Sequence, residues 1–242
     1  MFTRNRSAHG TFARGLALTL TLTLVVAGSG CKQKGTSAVD QLDPDGLNDR
    51  SIVVALGDSI TFGVLDTNVP DCGESNRGAG GFCPPLEALA SKTVINEGKC
   101  GEDSFDGVDR IDSVLRRWRP SVILLDYSPN DLFHGPHGTA LRLRIMVDAA
   151  LKNHTVPIIG TLIPATSYHA GWEAFITTLN PLILELCAEK GLECADHHAA
   201  FVNDPGYMAD PFALLTEDGE HPNHAGYLLM AETWNKSLQR VY

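Results

Sequence analysis

Gly57-Asp-Ser-Ile-Thr61 directly follows the apolar run Ile52-Val-Val-Ala-Leu56. Glycine lets the backbone turn sharply where a strand ends, so a serine two positions on can stand at the sheet's edge as a nucleophile. Taken alone, Gly-Asp-Ser reads more simply as a turn with a hydrogen-bonding serine. Thr61 also occupies the last position of G-x-S-x-G, so the α/β-hydrolase elbow is not indicated. The far end of the chain supplies a partner. Asp218-Gly-Glu-His221-Pro222 places a carboxylate three residues before an imidazole, just ahead of a helical pattern. A spacing of three on one turn puts both side chains on the same side, so the acid can hold Nδ1–H and leave Nε2 for the serine proton. Gly101, in Asn96-Glu-Gly-Lys-Cys-Gly101, and Asn130, in Ser128-Pro-Asn-Asp131, suit an oxyanion. A backbone N–H at Gly101 and a side-chain amide at Asn130 could join the Ser59 N–H in holding the charge of a tetrahedral intermediate.

These residues need a frame that brings them together. Short β-branched runs at Ser51–Leu56, Thr93–Asn96, Ser121–Tyr127 and Val156–Ile163, with a weaker one at Leu192–Ala195, predict strands. Helical patterns fall near Pro85–Ser91, Ser104–Trp118, Thr139–Asn153, Trp172–Lys190 and from Asn223 to about Val241. Strands that are continuously apolar and alternate with helices predict an α/β fold, a parallel sheet of about five strands covered on both faces. In such sheets chemistry gathers at the carboxyl ends of the strands. The four motifs lie in those loops or beside the last helix.

In this order and spacing the chain resembles the SGNH, or GDSL, hydrolases over roughly residues 51 to 240. Gly57-Asp-Ser-Ile-Thr61 looks like the family's first block, with Ser59 as nucleophile. Gly101 matches the second-block glycine and Asn130 the third-block asparagine, while Asp218-x-x-His221 looks like the fifth block, followed by the familiar Pro-Asn-His-Ala-Gly226-Tyr. Ser128 stands where the family has glycine. The resemblance implies a three-layer α/β/α sandwich with a flavodoxin-like sheet. It also implies a metal-free mechanism without cofactor and an ester or thioester substrate carried by a lipid, an aryl group or an acetylated sugar. Three readings follow: a serine esterase using Ser59, Asp218 and His221 with an oxyanion hole of Ser59, Gly101 and Asn130; a carbohydrate O-acetylesterase; or a non-catalytic surface binding lipoprotein on the same scaffold.

Composition narrows the alternatives. With 43% hydrophobic and 20% charged residues among 242, the chain folds, and length favours one domain after its leader. A formal charge of -10 offers no basic field for phosphates, so nucleic acid is not an expected partner. Arg4, Arg6 and Arg14, then the apolar run from Gly15 and Gly28-Ser-Gly30 before Cys31, read as an export signal over 1–30. Cys31 sits as the acylated cysteine of a lipoprotein does. That gives residues 31–50 as a tether, 51–242 as the catalytic domain, a cell-envelope or secreted location, membrane contact only through a lipid on Cys31, and a monomer. Cys72 with Cys83 and Cys187 with Cys194 are the economical disulfides. His134-x-x-His137 and His221-x-x-His224 lack the company of a zinc site, and Asp196-His-His198 reads as a loop.

Overall fold

A computed structural model of the protein describes residues 36–127 and 129–242. The expected signal peptide and the lipid site at Cys31 lie outside the described residues, as does Ser128.

Five strands, β1 (Asp49–Gly57), β2 (Thr93–Gly98), β3 (Pro120–Asp126), β4 (Val156–Gly160) and β5 (Cys194–Ala195), form one parallel sheet in the order β2-β1-β3-β4-β5. Side chains alternate along a strand, so each strand serves two cores. Val53, Ala55, Val122, Leu124 and Ile158 face one layer; Val54, Leu56, Ile123, Leu125 and Ile159 face the other. Apolar residues are needed at both parities, which is why the sequence runs are continuous.

The first face is covered by α1 (Ala38–Leu42), α3 (Cys83–Ala90), α7 (His197–Val202) and α9 (His224–Val241). The second is covered by α4 (Ser104–Trp118), α5 (Pro136–Lys152) and α6 (Glu173–Lys190). Two short helices, α2 (Ser59–Phe62) and α8 (Pro205–Ala209), lie in the connections after β1 and β5. In α9 the buried residues Tyr227, Met230, Ala231, Trp234, Leu238 and Val241 recur at three- and four-residue intervals, one stripe against the sheet. Asn223 caps its start by accepting from Gly226 N. Asp103 and Asp106 form a capping box at α4. Each such fully buried large side chain contributes about 1.5–3 kcal/mol.

The chain runs from β1 outward to β2, then returns past β1 to β3. That reversal leaves a crevice outside the carboxyl ends of β1 and β3, where α/β sheets of this order bind ligands.

The long elements follow the sequence reading, and α4 matches it at both ends. Three features differ. Residues 36–50, expected as tether, fold from Thr36 onward. Ser37 caps α1, Val39 is buried at 1% exposure, and Asp43 accepts the Leu47 and Asn48 N–H groups. A five-residue helix has too little periodicity to stand out from a polar segment. Cys72 bonds Cys100 rather than Cys83. Cys83 opens α3 and turns into the core with Phe82 and Leu86, where burial raises its thiol pKa. Cys100 sits in the turn after β2. Loop economy lost here to the inward face of a helix. The Cys187–Cys194 bridge forms as expected. The small helices after β1 and β5 were also not anticipated, and Asp196-His-His198, expected as a loop, opens α7 with Asp196 accepting from Ala199 N as its cap.

Candidate active site

The nucleophile turn is set by close backbone approach. A Cβ on Gly57 would lie 2.0 Å from the Asp126 carbonyl oxygen, and one on Gly98 would lie 2.2 Å from Phe62 N. No side chain fits at either position, so β1, β2 and β3 end against one another and against α2. The Asp58 carboxylate accepts the Ile60 N–H at 2.9 Å and caps α2, leaving Ser59 as its first residue, 7% exposed. Thr61 Oγ1 donates to Asp126 Oδ2 at 3.1 Å.

The second half of the site is a turn just ahead of α9. Leu215 and Pro222 form an antiparallel bridge, and Thr216 N donates to His221 O at 2.9 Å. Gly219 has φ +76°, and a Cβ there would lie 2.1 Å from Thr166 O. Thr166 N donates to Gly219 O at 2.8 Å, pinning the turn to the loop after β4. Inside this turn Asp218 Oδ1 accepts from Thr216 Oγ1 (2.7 Å), Glu220 N (2.9 Å) and His221 N (3.0 Å). Oδ2 is left for His221 Nδ1 at 2.7 Å, and His221 Nε2 lies 2.9 Å from Ser59 Oγ. Burial pushes the Asp218 carboxyl up, but the hydrogen bonds from Glu220 N, Thr216, the His221 ring and His221 N outweigh it and bring the pKa down to about 2. An ionised Asp218 can only accept, so Nδ1 carries the imidazole proton and Nε2 presents its lone pair to the serine hydroxyl.

Gly101 lies in the turn after β2 with φ +73°, and a Cβ there would meet nothing within 4 Å. Backbone conformation, not space, calls for glycine. Asn130 follows β3 in a short 3-10 turn, half-buried, and its Nδ2 donates to Glu102 O at 3.1 Å. Lys99 N donates to Gly57 O at 2.9 Å. The loops bearing Ser59, Gly101 and Asn130 are therefore bonded to one another.

Several residues of this neighbourhood escaped sequence reading. Asp126 ends β3 and is buried; burial, then the nearby Asp58 carboxylate, push its pKa up to about 8 against the Thr61 hydrogen bond. Glu220, also buried, has its carboxyl raised by burial, although His221 and His169 oppose the shift; its Oε2 lies 3.9 Å from His221 Nδ1. Between these acids is a cavity of about 10 Å³ lined by Ile60, Asp126, Tyr127, Leu162, Ala165 and Glu220. His169 Nδ1 bonds Asp218 O at 2.8 Å. An acid closing an otherwise apolar strand was the available signal for Asp126; His169 carried none. Two other histidines meet acids of their own: His134 Nε2 lies 2.9 Å from Asp103 Oδ2, and His224 Nδ1 lies 2.9 Å from Asp66 Oδ1. His197, from the Asp-His-His stretch, is buried edge-on to Trp234.

Residues 55–229 match the GDSL-like lipase/acylhydrolase family. No curated protein matches the chain. Among solved structures, a lipase/acylhydrolase from Enterococcus faecalis is 23% identical with a TM-score of 0.63, covering 79% of this chain and 96% of that one. A member of the lipolytic protein G-D-S-L family from Veillonella parvula is 20% identical with a TM-score of 0.63, over 78% and 98%. A catalytic mutant of Axe2, an acetylxylan esterase from Geobacillus stearothermophilus, is 17% identical with a TM-score of 0.64, over 79% and 95%. These likenesses are likenesses of fold.

Proposed function

The chain belongs to the GDSL-like lipase/acylhydrolase family, and from that premise we propose that it is a serine hydrolase cleaving carboxylic esters through an acyl-enzyme on Ser59. The observation that carries this reading is the unbroken chain of hydrogen bonds Ser59 Oγ, His221 Nε2, His221 Nδ1, Asp218 Oδ2, with separations of 2.9 and 2.7 Å at its two links.

His221 Nε2 takes the Ser59 proton as Oγ bonds to the ester carbonyl carbon. The carbonyl electron pair moves to oxygen, where the N–H groups of Ser59 and Gly101 and the Asn130 amide stabilise it. Asp218 stabilises the imidazolium that forms. His221 then gives its proton to the leaving alcohol oxygen as the C–O bond breaks. Water repeats the sequence on the acyl-enzyme, releasing the acid and restoring Ser59. Ser59→Ala in the full chain is expected to lower turnover of p-nitrophenyl esters by roughly 10⁴–10⁶ and to abolish fluorophosphonate labelling. Equal turnover in wild type and variant would overturn the reading.

A saccharide as leaving group is a second reading, favoured by two exposed rings. Phe133, three residues after Asn130, is 94% exposed, and Tyr168, beside His169, is 90% exposed. Flat aromatic faces at the rim suit sugar rings. Comparison of p-nitrophenyl esters of two to twelve carbons with acetylated xylan decides it: a steep preference for xylan selects the sugar, and turnover of the free esters alone rejects it.

A further inference from the structure

Arg110, on α4, reaches from the second core layer to the underside of the oxyanion loops. Its side chain is 12% exposed. Nε and Nη2 grip the two carboxylate oxygens of Glu102 as a fork. The same Nη2 donates to Glu97 O at 2.5 Å and approaches Gly57 O at 3.4 Å, and Nη1 reaches Glu97 Oε2 at 3.3 Å. One guanidinium thus touches the end of β2, the residue two before Ser59, and the residue after Gly101. Glu102 passes this grip onward, because its own carbonyl oxygen is the acceptor of Asn130 Nδ2. On the other side of Gly101, Cys100 is held by its disulfide to Cys72.

Gly101 therefore stands between two pins, in a left-handed conformation with open space where a Cβ would be. Glycine has the widest conformational freedom of any residue, so the direction of its N–H depends on its neighbours being fixed. An oxyanion donor displaced by a fraction of an ångström loses much of its effect, since such groups act by being already aimed. Exposed ion pairs such as Arg144–Glu189 have no comparable reach into the site.

We propose that Arg110 is a positioning residue for the oxyanion hole: through Glu102 it fixes the Gly101 backbone and the Asn130 amide relative to Ser59. The inference rests on the serine-hydrolase reading. It is tested in the full chain with Arg110→Gln, Arg110→Lys, Asn130→Ala and the pair Arg110→Gln/Asn130→Ala, against Ser59→Ala as blank and Arg144→Gln as control. Kinetics on p-nitrophenyl acetate are read beside thermal melts. Arg110→Gln is expected to lower kcat by about 10–10², within the effect of losing one oxyanion donor, with KM changed less than about twofold. Lysine keeps the charge but not the fork, so Arg110→Lys recovers part of the rate and serves where the glutamine variant does not fold. The double variant is expected to be slower than Asn130→Ala by a smaller factor than Arg110→Gln is slower than wild type, because the share of the effect carried by the Asn130 amide is already lost and only the share carried by Gly101 remains. Arg144→Gln keeps the wild-type kcat. A folded Arg110→Gln with wild-type kcat, a lysine variant no faster than the glutamine one, or losses that simply multiply with Asn130→Ala would overturn the proposal. Wild type no faster than Ser59→Ala would instead overturn the hydrolase reading beneath it.

Discussion

At the amino ends of the strands, neutral groups mostly satisfy one another, and the buried Asp43 carboxylate is met by the Leu47 and Asn48 N–H groups. Asn48 Nδ2 donates to Asn153 O at 2.9 Å, Thr155 Oγ1 donates to Pro120 O at 2.8 Å, and the Ser121 and Tyr242 hydroxyls meet at 2.6 Å. The carboxyl ends hold Asp58, Asp126, Glu102 and Glu220 with little or no exposure, between glycines whose positions admit no side chain. A neutral hydrogen bond replaces what water offered, whereas a buried carboxyl either finds strong donors or keeps its proton. Asp218 has found donors and its pKa falls; burial, and after it the Asp58 carboxylate nearby, raise that of Asp126 against a single hydrogen bond from Thr61. One edge of the sheet serves stability, and the other holds charge under constraint where chemistry needs it.

The largest expected break in this contrast is at Asp218. Asp218→Asn should keep the fold and lower kcat on the order of 10⁴, because an amide no longer holds the imidazole in the useful tautomer. A near-normal rate on the same esters would detach Asp218 from the site. The wild-type carboxylate, lowered from 3.8 to about 2, contributes stability that is present above pH 3.8 and lost as pH falls toward 2. The asparagine variant should lack that part of the acid transition.

Asp126 has the opposite sign. Its folded pKa, raised from 3.8 to about 8, favours the folded state below pH 3.8, and that contribution fades as pH rises through 8. Asp126→Asn cannot ionise, so its urea midpoint should gain on that of the wild type between pH 5 and pH 9. A constant difference across that range would mean the buried carboxyl is not protonated in the folded protein.

The smallest effect belongs to the quiet end. Asn48→Ala removes the donor to Asn153 O and should cost about 1–3 kcal/mol in denaturant unfolding while leaving kcat/KM unchanged. A loss of activity in the still-folded variant would show that the two ends are not independent.

Much of this was legible in one dimension. Ser59, Asp218 and His221 each follow or precede a strong periodic element, and their order along the chain agrees with a sheet that delivers strand ends to one rim. The continuous apolar runs gave the parallel sheet, since both faces of every strand must be buried. The Cys72 partner was not legible, because a short loop is only one term and the inward face of α3 claimed Cys83. Nor was α1, whose single buried valine leaves no pattern.

Sequence by itself settled which residue types stand at the strand ends, and through the length and apolarity of its runs, which layers cover them. Tertiary structure alone decided what those residues became. Asp126 and Asp218 are the same amino acid with the same intrinsic acidity, yet their environments drive them apart, because proton affinity depends on the donors and charges brought near by folding. Arg110 reads along the chain as one more polar position on a helix; folding places its guanidinium between β1, β2 and the Gly101 turn. Spacing fixes what a residue can offer, and the closing of the sheet fixes to whom.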